Sequence, residues 1–414
     1  MITSLLRAGA IVLLSAGLVA CTSFQPRHPV PPAELRAANP AGYPQIRFWG
    51  DVLPDTDDAA ATLQAAHRAG AYRGAGRAPH RLDFLAISGG GENGAFGAGV
   101  LAGWSLRGSR PRFEVVTGVS TGALIGALAF LGPSRDAQLT ALYTQYGGQH
   151  IMRWRGLLPV LLGGESLADD APLAGLIART IDAAYLDEVA TEHRRGRRFF
   201  VATTNLDAQR PVIWDMGAIA ASGEPGRLTL FRSVLLASAS VPGFFPPVRI
   251  AVAANGAHYD ELHVDGSVSA NAFIFPALFM KALSPRGQHV PRQLYVIHNG
   301  KLSPEYSPTK PSLLPTIARS LNTLTKAHGI GDLFRLYALA QAHGLAFRMA
   351  AIPADFEHTG NTGFDVQYMQ ALYRRGYAIG RSGAEWMAMP PALGFERYKP
   401  NQPSQRLART VSTR

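Results

Sequence analysis

The sequence is poor in cysteine and in charge, and each shortage excludes a class of protein. Its 414 residues include one cysteine, so the chain has neither a disulfide framework nor a C-x-x-C metal or redox site. Only 17% of the residues are charged and 47% are hydrophobic, which is typical of a globular protein and not of a disordered chain. We therefore expect a folded protein whose core, and not cross-links, holds it together.

The N-terminus has the pattern of an export signal. Arg7 is the only charge before the apolar run from Ala8 to Ala20, which is too short to span a bilayer. The run ends in L-V-A-C, which resembles the lipobox of bacterial lipoproteins. The resemblance implies that Cys21 is lipidated and anchors the protein in the cell envelope, at the outer membrane. The alternative is an ordinary secretory signal and a secreted or periplasmic protein.

Composition divides the remaining chain. Residues 21–45 carry six prolines and few large apolar side chains, which predicts an extended tether. The role of the next segment, 46–80, is open. The predicted organisation is a signal peptide over 1–20, the tether over 21–45, an N-terminal extension over 46–80, the main folded domain over 81–396 and a basic tail over 397–414.

The net charge of +11 is concentrated at the C-terminus. The tail 397–414 has five basic residues and no acid, which is typical of a solvated terminus and compatible with contact to anionic lipid. No helix-turn-helix, zinc-finger or RNP pattern is present, so we expect no nucleic-acid partner.

From residue 81 onward, apolar runs of strand length alternate with helical patterns. This alternation predicts an α/β fold with a mainly parallel sheet covered by helices. The strands are expected at 82–87, 113–117, 198–204, 211–216 and 292–299, and the helices at 123–131, 173–185, 230–239, 311–345 and 366–389.

A glycine-rich loop follows the first strand. Gly89, Gly91 and Gly94 stand in G-x-G-x-x-G register, which also occurs in dinucleotide-binding oxidoreductases. That function needs an acid at the far end of the second strand, whereas Glu114 lies at its beginning. The other use of such a loop is an oxyanion hole, with the amides of Gly90 and Gly91 as the expected donors.

The second loop, G-V-S-T-G over 118–122, lies between a strand and a helix. This is the context of a nucleophile elbow, which exposes Ser120 at the edge of the sheet. The serine needs a base, and two alternatives are open. One is a histidine in a Ser-His-Asp triad, for which the late candidates are His298, His328, His343 and His358. The other is Asp265, which follows a strand-like run in V-D-G-S.

Acidic and histidine side chains also cluster just before Asp265. They match no metal-ligand spacing, so we expect neither a metal nor another cofactor. The residues concerned are His258, Asp260, Glu261 and His263.

Four ordered blocks between 82 and 270 resemble the patatin-like phospholipase family. They are S-G-G-G-E-N-G-A-F, G-V-S-T-G, L-A-S-A-S-V-P-G-F-F-P-P-V and D-G-S. The resemblance implies a three-layer α/β fold and a lipid acyl hydrolase with a Ser120–Asp265 dyad, an oxyanion loop at Gly89, Gly90, Gly91 and Gly94, and lipid esters as substrates.

Two positions depart from the family pattern. Asn93 stands where many members have Lys or Arg, which implies a weaker oxyanion hole, and Ser267 replaces a glycine or a small apolar residue. The alternatives to the Ser–Asp hydrolase are a Ser-His-Asp esterase and a catalytically weak, lipid-binding envelope lipoprotein.

Overall fold

A computed structural model describes residues 26–43, 46–52, 81–156, 164–275, 290–357 and 363–391 of the chain. The predicted signal peptide, Cys21 and the basic tail 397–414 lie outside these residues. Within the described residues, no helix is both long enough and apolar enough to cross a membrane.

A nine-stranded sheet forms the centre of the molecule. Five neighbouring strands, from the edge strand β11 inward, are parallel in the order β11-β10-β2-β3-β6, which confirms the predicted α/β class with a mainly parallel sheet. A two-stranded ribbon, β4 with β5, lies apart from it. The strands are β1 (Arg47–Trp49), β2 (Leu82–Ile87), β3 (Val115–Val119), β4 (Arg153–Trp154), β5 (Ala168–Asp169), β6 (Arg198–Asn205), β7 (Arg210–Asp215), β8 (Val248–Ala254), β9 (Ala257–Asp265), β10 (Arg292–Lys301) and β11 (Ala346–Ile352).

One side of the sheet is antiparallel. β7 pairs antiparallel with β6, and β1 pairs antiparallel with β7. The hairpin of β8 and β9 joins the last three residues of β6, where Thr203 faces Asp265. The extension at 46–80 therefore contributes an edge strand to the sheet through its described residues 46–52.

Helices cover both faces. They are α1 (Gly94–Leu106), α2 (Thr121–Leu131), α3 (Asp136–Thr144), α4 (Gly148–Ile151), α5 (Ala171–Thr180), α6 (Ala183–Arg194), α7 (Met216–Ala221), α8 (Arg227–Ser238), α9 (Leu313–Ala342) and α10 (Val366–Ser382). The single helix predicted at 173–185 is wrong: two helices meet there, because the side chain of Asp182 accepts the Tyr185 N–H at 2.8 Å and begins a new helix.

The core consists of two apolar layers, one on each face of the sheet. Alternate residues of β2 supply them: Leu85 and Ile87 belong to one layer, Phe84 and Ala86 to the other. Helices α1, α2 and α10 pack on the first layer, and α9 packs on the second with residues 272–275. The result is a three-layer helix–sheet–helix arrangement.

The predicted tether is wrong for its described part, residues 26–43. The guanidinium of Arg27 donates to Asp260 at 2.8 Å and to Asp207 at 2.9 Å, and Asn39 pairs with Ala253 of β8. Val30, Ala38 and Tyr43 are buried. The proline-rich composition led to a prediction of an extended spacer, but a few apolar side chains and one arginine hold the segment on the β8–β9 hairpin.

Candidate active site

The predicted elbow is a sharp turn between β3 and α2. Ser120 has φ 55° and ψ −128°, a left-handed backbone that a non-glycine residue adopts only when its surroundings enforce it. Its N–H donates to the Ser238 hydroxyl at 3.0 Å. A Cβ at Gly122 would collide with the carbonyl oxygens of Ile87 and Ser88, so the glycine lets α2 approach the end of β2.

The topology brings Asp265 to Ser120 along one edge of β6. Val119, the last residue of β3, pairs with Ala202, and Asp265, the last residue of β9, pairs with Thr203. The two strands therefore meet end to end on consecutive residues of β6. Ser120 and Asp265 follow at that junction, close enough for the serine hydroxyl to affect the pKa of the carboxyl group.

Asp265 is 2% exposed, and its two carboxylate oxygens differ. Oδ1 accepts the Ser267 N–H at 2.8 Å, whereas Oδ2 makes no hydrogen bond of ordinary geometry among the described residues. Burial raises the pKa of Asp265 to about 6, against the opposing effect of the nearby Ser120 hydroxyl and of Ser267. The carboxylate is thus ionised at neutral pH and has an oxygen free to accept a proton.

The four predicted oxyanion-loop glycines have two different roles. The Gly89 N–H donates to the Asn271 carbonyl at 3.0 Å, and the Gly94 N–H donates to the carbonyls of Gly91 and Glu92 in the short turn before α1, so neither is available to a substrate. Gly90 and Gly91 have positive φ, line the cavity at Ser120 and donate no backbone hydrogen bond to a described residue. Their amides are the two that could hold an oxyanion.

Contacts from the C-terminal part of the chain hold this loop in place. The Glu92 carboxylate accepts the N–H groups of Gly363, at 2.9 Å, and of Phe364. The Tyr368 hydroxyl donates to Asn93 Oδ1 at 2.6 Å, which leaves the amide nitrogen of Asn93 for the cavity. These partners are more than 270 residues away in the chain, so no local motif could have identified them.

A largely apolar cavity of about 400 Å³ opens at Ser120. A volume in this range suits a small ligand or part of a lipid. Its walls come from α2, α3, α5 and the loop after α8. The apolar lining includes Leu124, Leu142, Leu173, Leu176, Val241, Phe244, Phe245 and Met369.

The candidate histidines are placed elsewhere. No described histidine lines the cavity at Ser120. His298 is buried against Gly300 and Gly329, and burial lowers its pKa to about 4. His328 and His343 lie on or just after α9, and His358 lies outside the described residues.

The acidic and histidine cluster on β9 forms ion pairs and hydrogen bonds. Asp260 pairs with Arg27 at 2.8 Å. Glu261 pairs with Arg47 and also bonds His263 at 2.9 Å, whose other ring nitrogen contacts Thr203. Among the described residues, no group of three histidine, cysteine or acidic side chains is arranged to hold a metal ion.

Comparison with known proteins supplies the family. Residues 85–278 match the family described as "Patatin-like phospholipase", the region that contains both glycine loops, Ser120 and Asp265. The chain contains a patatin-like phospholipase domain. This confirms the resemblance predicted from the four sequence blocks, and it assigns the domain to the lipid acyl hydrolases and not to the dinucleotide-binding oxidoreductases.

Individual relatives of the patatin-like domain are distant. The cUMP-AMP-activated phospholipase of Escherichia coli is 29% identical over 252 residues, which are 57% of this chain and 68% of that protein. VipD from Legionella pneumophila has a TM-score of 0.38 and 12% identity, over 73% of this chain and 66% of its own. Human GIVD cytosolic phospholipase A2 has a TM-score of 0.30 and 12% identity, over 77% of this chain and 54% of its own. The chain thus spans less than two thirds of the length of these two solved structures.

Proposed function

We propose that this protein is a serine acyl hydrolase that cleaves acyl esters of lipids with Ser120 as nucleophile and Asp265 as general base. The observation that carries the proposal is the end-to-end meeting of β3 and β9 on β6, which brings a strained serine to a buried carboxylate. The unpartnered Oδ2 of Asp265 supports its role as the proton acceptor. The apolar cavity suits an acyl chain.

The reaction has two halves. Asp265 takes the hydroxyl proton as Ser120 Oγ attacks the ester carbonyl, and the amides of Gly90 and Gly91 donate to the developing oxyanion. The ester C–O bond breaks, the alcohol leaves with the proton from Asp265, and the acyl group stays on Ser120. A water molecule then gives a proton to Asp265 and attacks the acyl-enzyme, and Ser120 Oγ leaves with that proton as the fatty acid is released.

The raised pKa of Asp265 suits this role. A base works best when its pKa lies near the working pH, and an unshifted aspartate, with a pKa near 3.8, is a weak acceptor. Asn93 donates a neutral hydrogen bond in place of the positive charge of many family members, so we expect modest turnover. The second candidate is a catalytically weak protein that binds lipid. It ranks second because a single observation, the departure at Asn93, favours it.

We further propose that Cys21 carries a lipid anchor and that the protein works at the bacterial envelope, in contact with the outer membrane. The L-V-A-C pattern supports this proposal. The arrangement would hold the cavity close to its substrate.

The test compares wild type, Ser120→Ala and Asp265→Asn on a short-chain nitrophenyl ester and on phospholipid vesicles. Both variants should lose roughly a thousandfold or more in kcat/KM while they keep the melting temperature of a folded protein. His298→Ala is the control, and we expect it to stay within a few-fold of wild type. An active Asp265→Asn, or an inactive but folded His298→Ala, would show that the base has been misassigned.

The pH profile is the second measurement. Because Asp265 must be ionised to accept a proton, kcat/KM should fall as the pH drops through about 6. A profile that stays flat down to pH 4.5 would contradict a buried, desolvated base.

A further inference from the structure

The two halves of helix α9 have opposite surroundings. Its second half packs on the sheet through buried residues such as Leu333, Leu336 and Ala340. Almost every residue from 313 to 327 is exposed, although this half is rich in leucine and isoleucine. The exposed fractions are 74% for Leu313, 48% for Leu314, 46% for Ile317, 48% for Leu321 and 65% for Leu324.

These five side chains, which we call the apolar stripe, share one face of the helix. At about 100° per residue they fall within an arc of about 100°, the width of a face that normally packs against something apolar. Soluble proteins expose single apolar side chains commonly, but contiguous groups of large ones mark a contact surface.

The apolar stripe belongs to the helix that borders the mouth of the Ser120 cavity. Asn322, on a different face of α9, lines that cavity. Val241 and Phe244 line the cavity too, and they are 38% and 39% exposed. Large apolar side chains are therefore open to solvent both on the helix and on the rim of the cavity.

The charge around the apolar stripe is positive. Arg319 and Lys326 lie on the remaining surface of the helix, Lys310 precedes it, and no acid occurs between Tyr306 and Gly331. Lys326 pairs with Glu305 at 2.8 Å and Arg319 donates to the Glu305 carbonyl, which fixes the cationic side of the helix to the loop after β10. At about 100° per residue, Arg319 and Lys326 lie on the face of the helix opposite the apolar stripe. A helix with an apolar face and a cationic opposite face is the pattern of a helix that lies in the interface of an anionic membrane.

We propose that the apolar stripe docks the protein on an anionic lipid surface, with its leucine side chains between the headgroups and the cavity mouth against the bilayer. The choice of a lipid surface rests on the proposed function, because the substrate of a lipid acyl hydrolase has to leave a membrane to reach Ser120. The position of Asn322 and the net positive charge of this region favour this occupant over a second copy of the chain.

The test measures binding without turnover. Two proteins are sedimented with vesicles of phosphatidylglycerol and phosphatidylethanolamine. One carries Ser120→Ala only, and the other carries Ser120→Ala together with Leu313→Ser and Leu324→Ser, the stripe pair. The pair should lower the partition coefficient roughly tenfold or more, because two large apolar side chains no longer enter the interface. Vesicles made only of phosphatidylcholine should bind the Ser120→Ala protein with an intact stripe more weakly, since these vesicles lack the anionic charge.

The matched control is Leu106→Ser with Met389→Ser, which removes two side chains that are 61% and 56% exposed outside the stripe and the cavity lining. The control should bind vesicles like wild type. Equal binding by the stripe pair and the control pair would overturn the proposal. So would a dimeric wild type that the stripe pair turns into a monomer, since a second copy would then cover the stripe.

Activity measurements separate this inference from the proposed function. They use proteins that keep Ser120 and carry either the stripe pair or the control pair. The ratio of vesicle turnover to soluble-ester turnover should fall in the stripe pair and not in the control pair. Stripe-dependent vesicle binding by a protein that hydrolyses neither substrate would leave the docking surface standing and remove the proposed function.

Discussion

At the scale of single residues, local sequence motifs predict some features of the site, whereas other features depend on contacts with residues that are distant in the chain. G-V-S-T-G predicted an elbow at Ser120, because an elbow is a local pattern. V-D-G-S marked Asp265 as a strand end but left a histidine base open, and the family resemblance led to the choice of Asp265. The division of the glycine loop was not predictable, since the Asn271 carbonyl that occupies the Gly89 N–H comes from another part of the chain. Ser267, the second departure from the family pattern, lies next to this loop. Its hydroxyl occupies the space that a Cβ on Gly89 would need, and it lowers the pKa of Asp265.

The buried charge of Asp265 should cost the folded protein stability at neutral pH. Its pKa is near 3.8 when unfolded and about 6 when folded, and this difference corresponds to about 3 kcal/mol above pH 6. Asp265→Asn removes the charge and keeps an oxygen that can accept the Ser267 N–H. We therefore expect the inactive variant to be more stable than wild type by up to about 3 kcal/mol at pH 8.

The sign of the pH dependence makes this expectation specific. Below pH 6 the folded protein protonates Asp265, so wild type regains the stability that the charge removes, and the advantage of Asp265→Asn should shrink to near zero by about pH 4. Urea unfolding at pH 8, 6 and 4.5 measures the difference. If Asp265→Asn were less stable than wild type at pH 8, the carboxylate would stabilise the fold, and the prediction that its buried charge costs stability would be wrong.

At the scale of helices and strands, short apolar runs predicted the parallel centre of the sheet well. β2, β6 and β10 lie within a residue or two of the predicted ranges, because strands buried on both faces are continuously apolar. β11 follows the predicted helix 311–345 and was not predicted, since its first residues alternate between exposed and buried and carry Arg348. The closing helix was predicted too long, because it ends at Ser382 where Gly383 adopts φ 66°.

The contact between α1 and α10 depends on four glycines that the sequence analysis did not use. A Cβ at Gly99 or Gly103 would collide with the backbone of Tyr373 or Tyr377, and a Cβ at Gly376 or Gly380 would collide with the backbone of α1. The two helix backbones therefore touch. Since α10 begins beside the residues that hold Glu92 and Asn93, this contact also supports the oxyanion loop.

Gly103→Ala tests this contact. The added methyl group would meet the Tyr377 carbonyl oxygen, so we expect a loss of about 2–3 kcal/mol in the free energy of unfolding. Gly175→Ala in α5 is the matched control. A Cβ there has only the Arg179 side chain nearby, at 3.6 Å, and we expect a gain of up to about 1 kcal/mol from helix propensity. Equal effects of the two changes in urea unfolding would mean that α1 and α10 can separate at little cost.

At the scale of the whole molecule, the docked N-terminal segment changes how an anchor would act. Arg27 is held by Asp207 and Asp260, so the five residues 22–26, or six Cα–Cα steps, separate this fixed point from Cys21. A chain of that length reaches at most about 20 Å. If Cys21 is lipidated, as we propose, the catalytic domain lies against the membrane and is not suspended on a long tether. A short anchor and the apolar stripe on α9 would then act together.

Cys21→Ser tests the anchor. In a bacterial host we expect wild type in the envelope membrane fraction, with an N-terminal peptide that begins at Cys21 and carries the mass of added acyl chains. The Cys21→Ser protein should lack this mass, because serine has no thiol to lipidate. Thr22→Ala, which changes the next residue and keeps the thiol, should behave like wild type. An unmodified N-terminal peptide in wild type would contradict lipidation and favour a secreted or periplasmic protein, in which the apolar stripe alone would have to bring the cavity to its lipid.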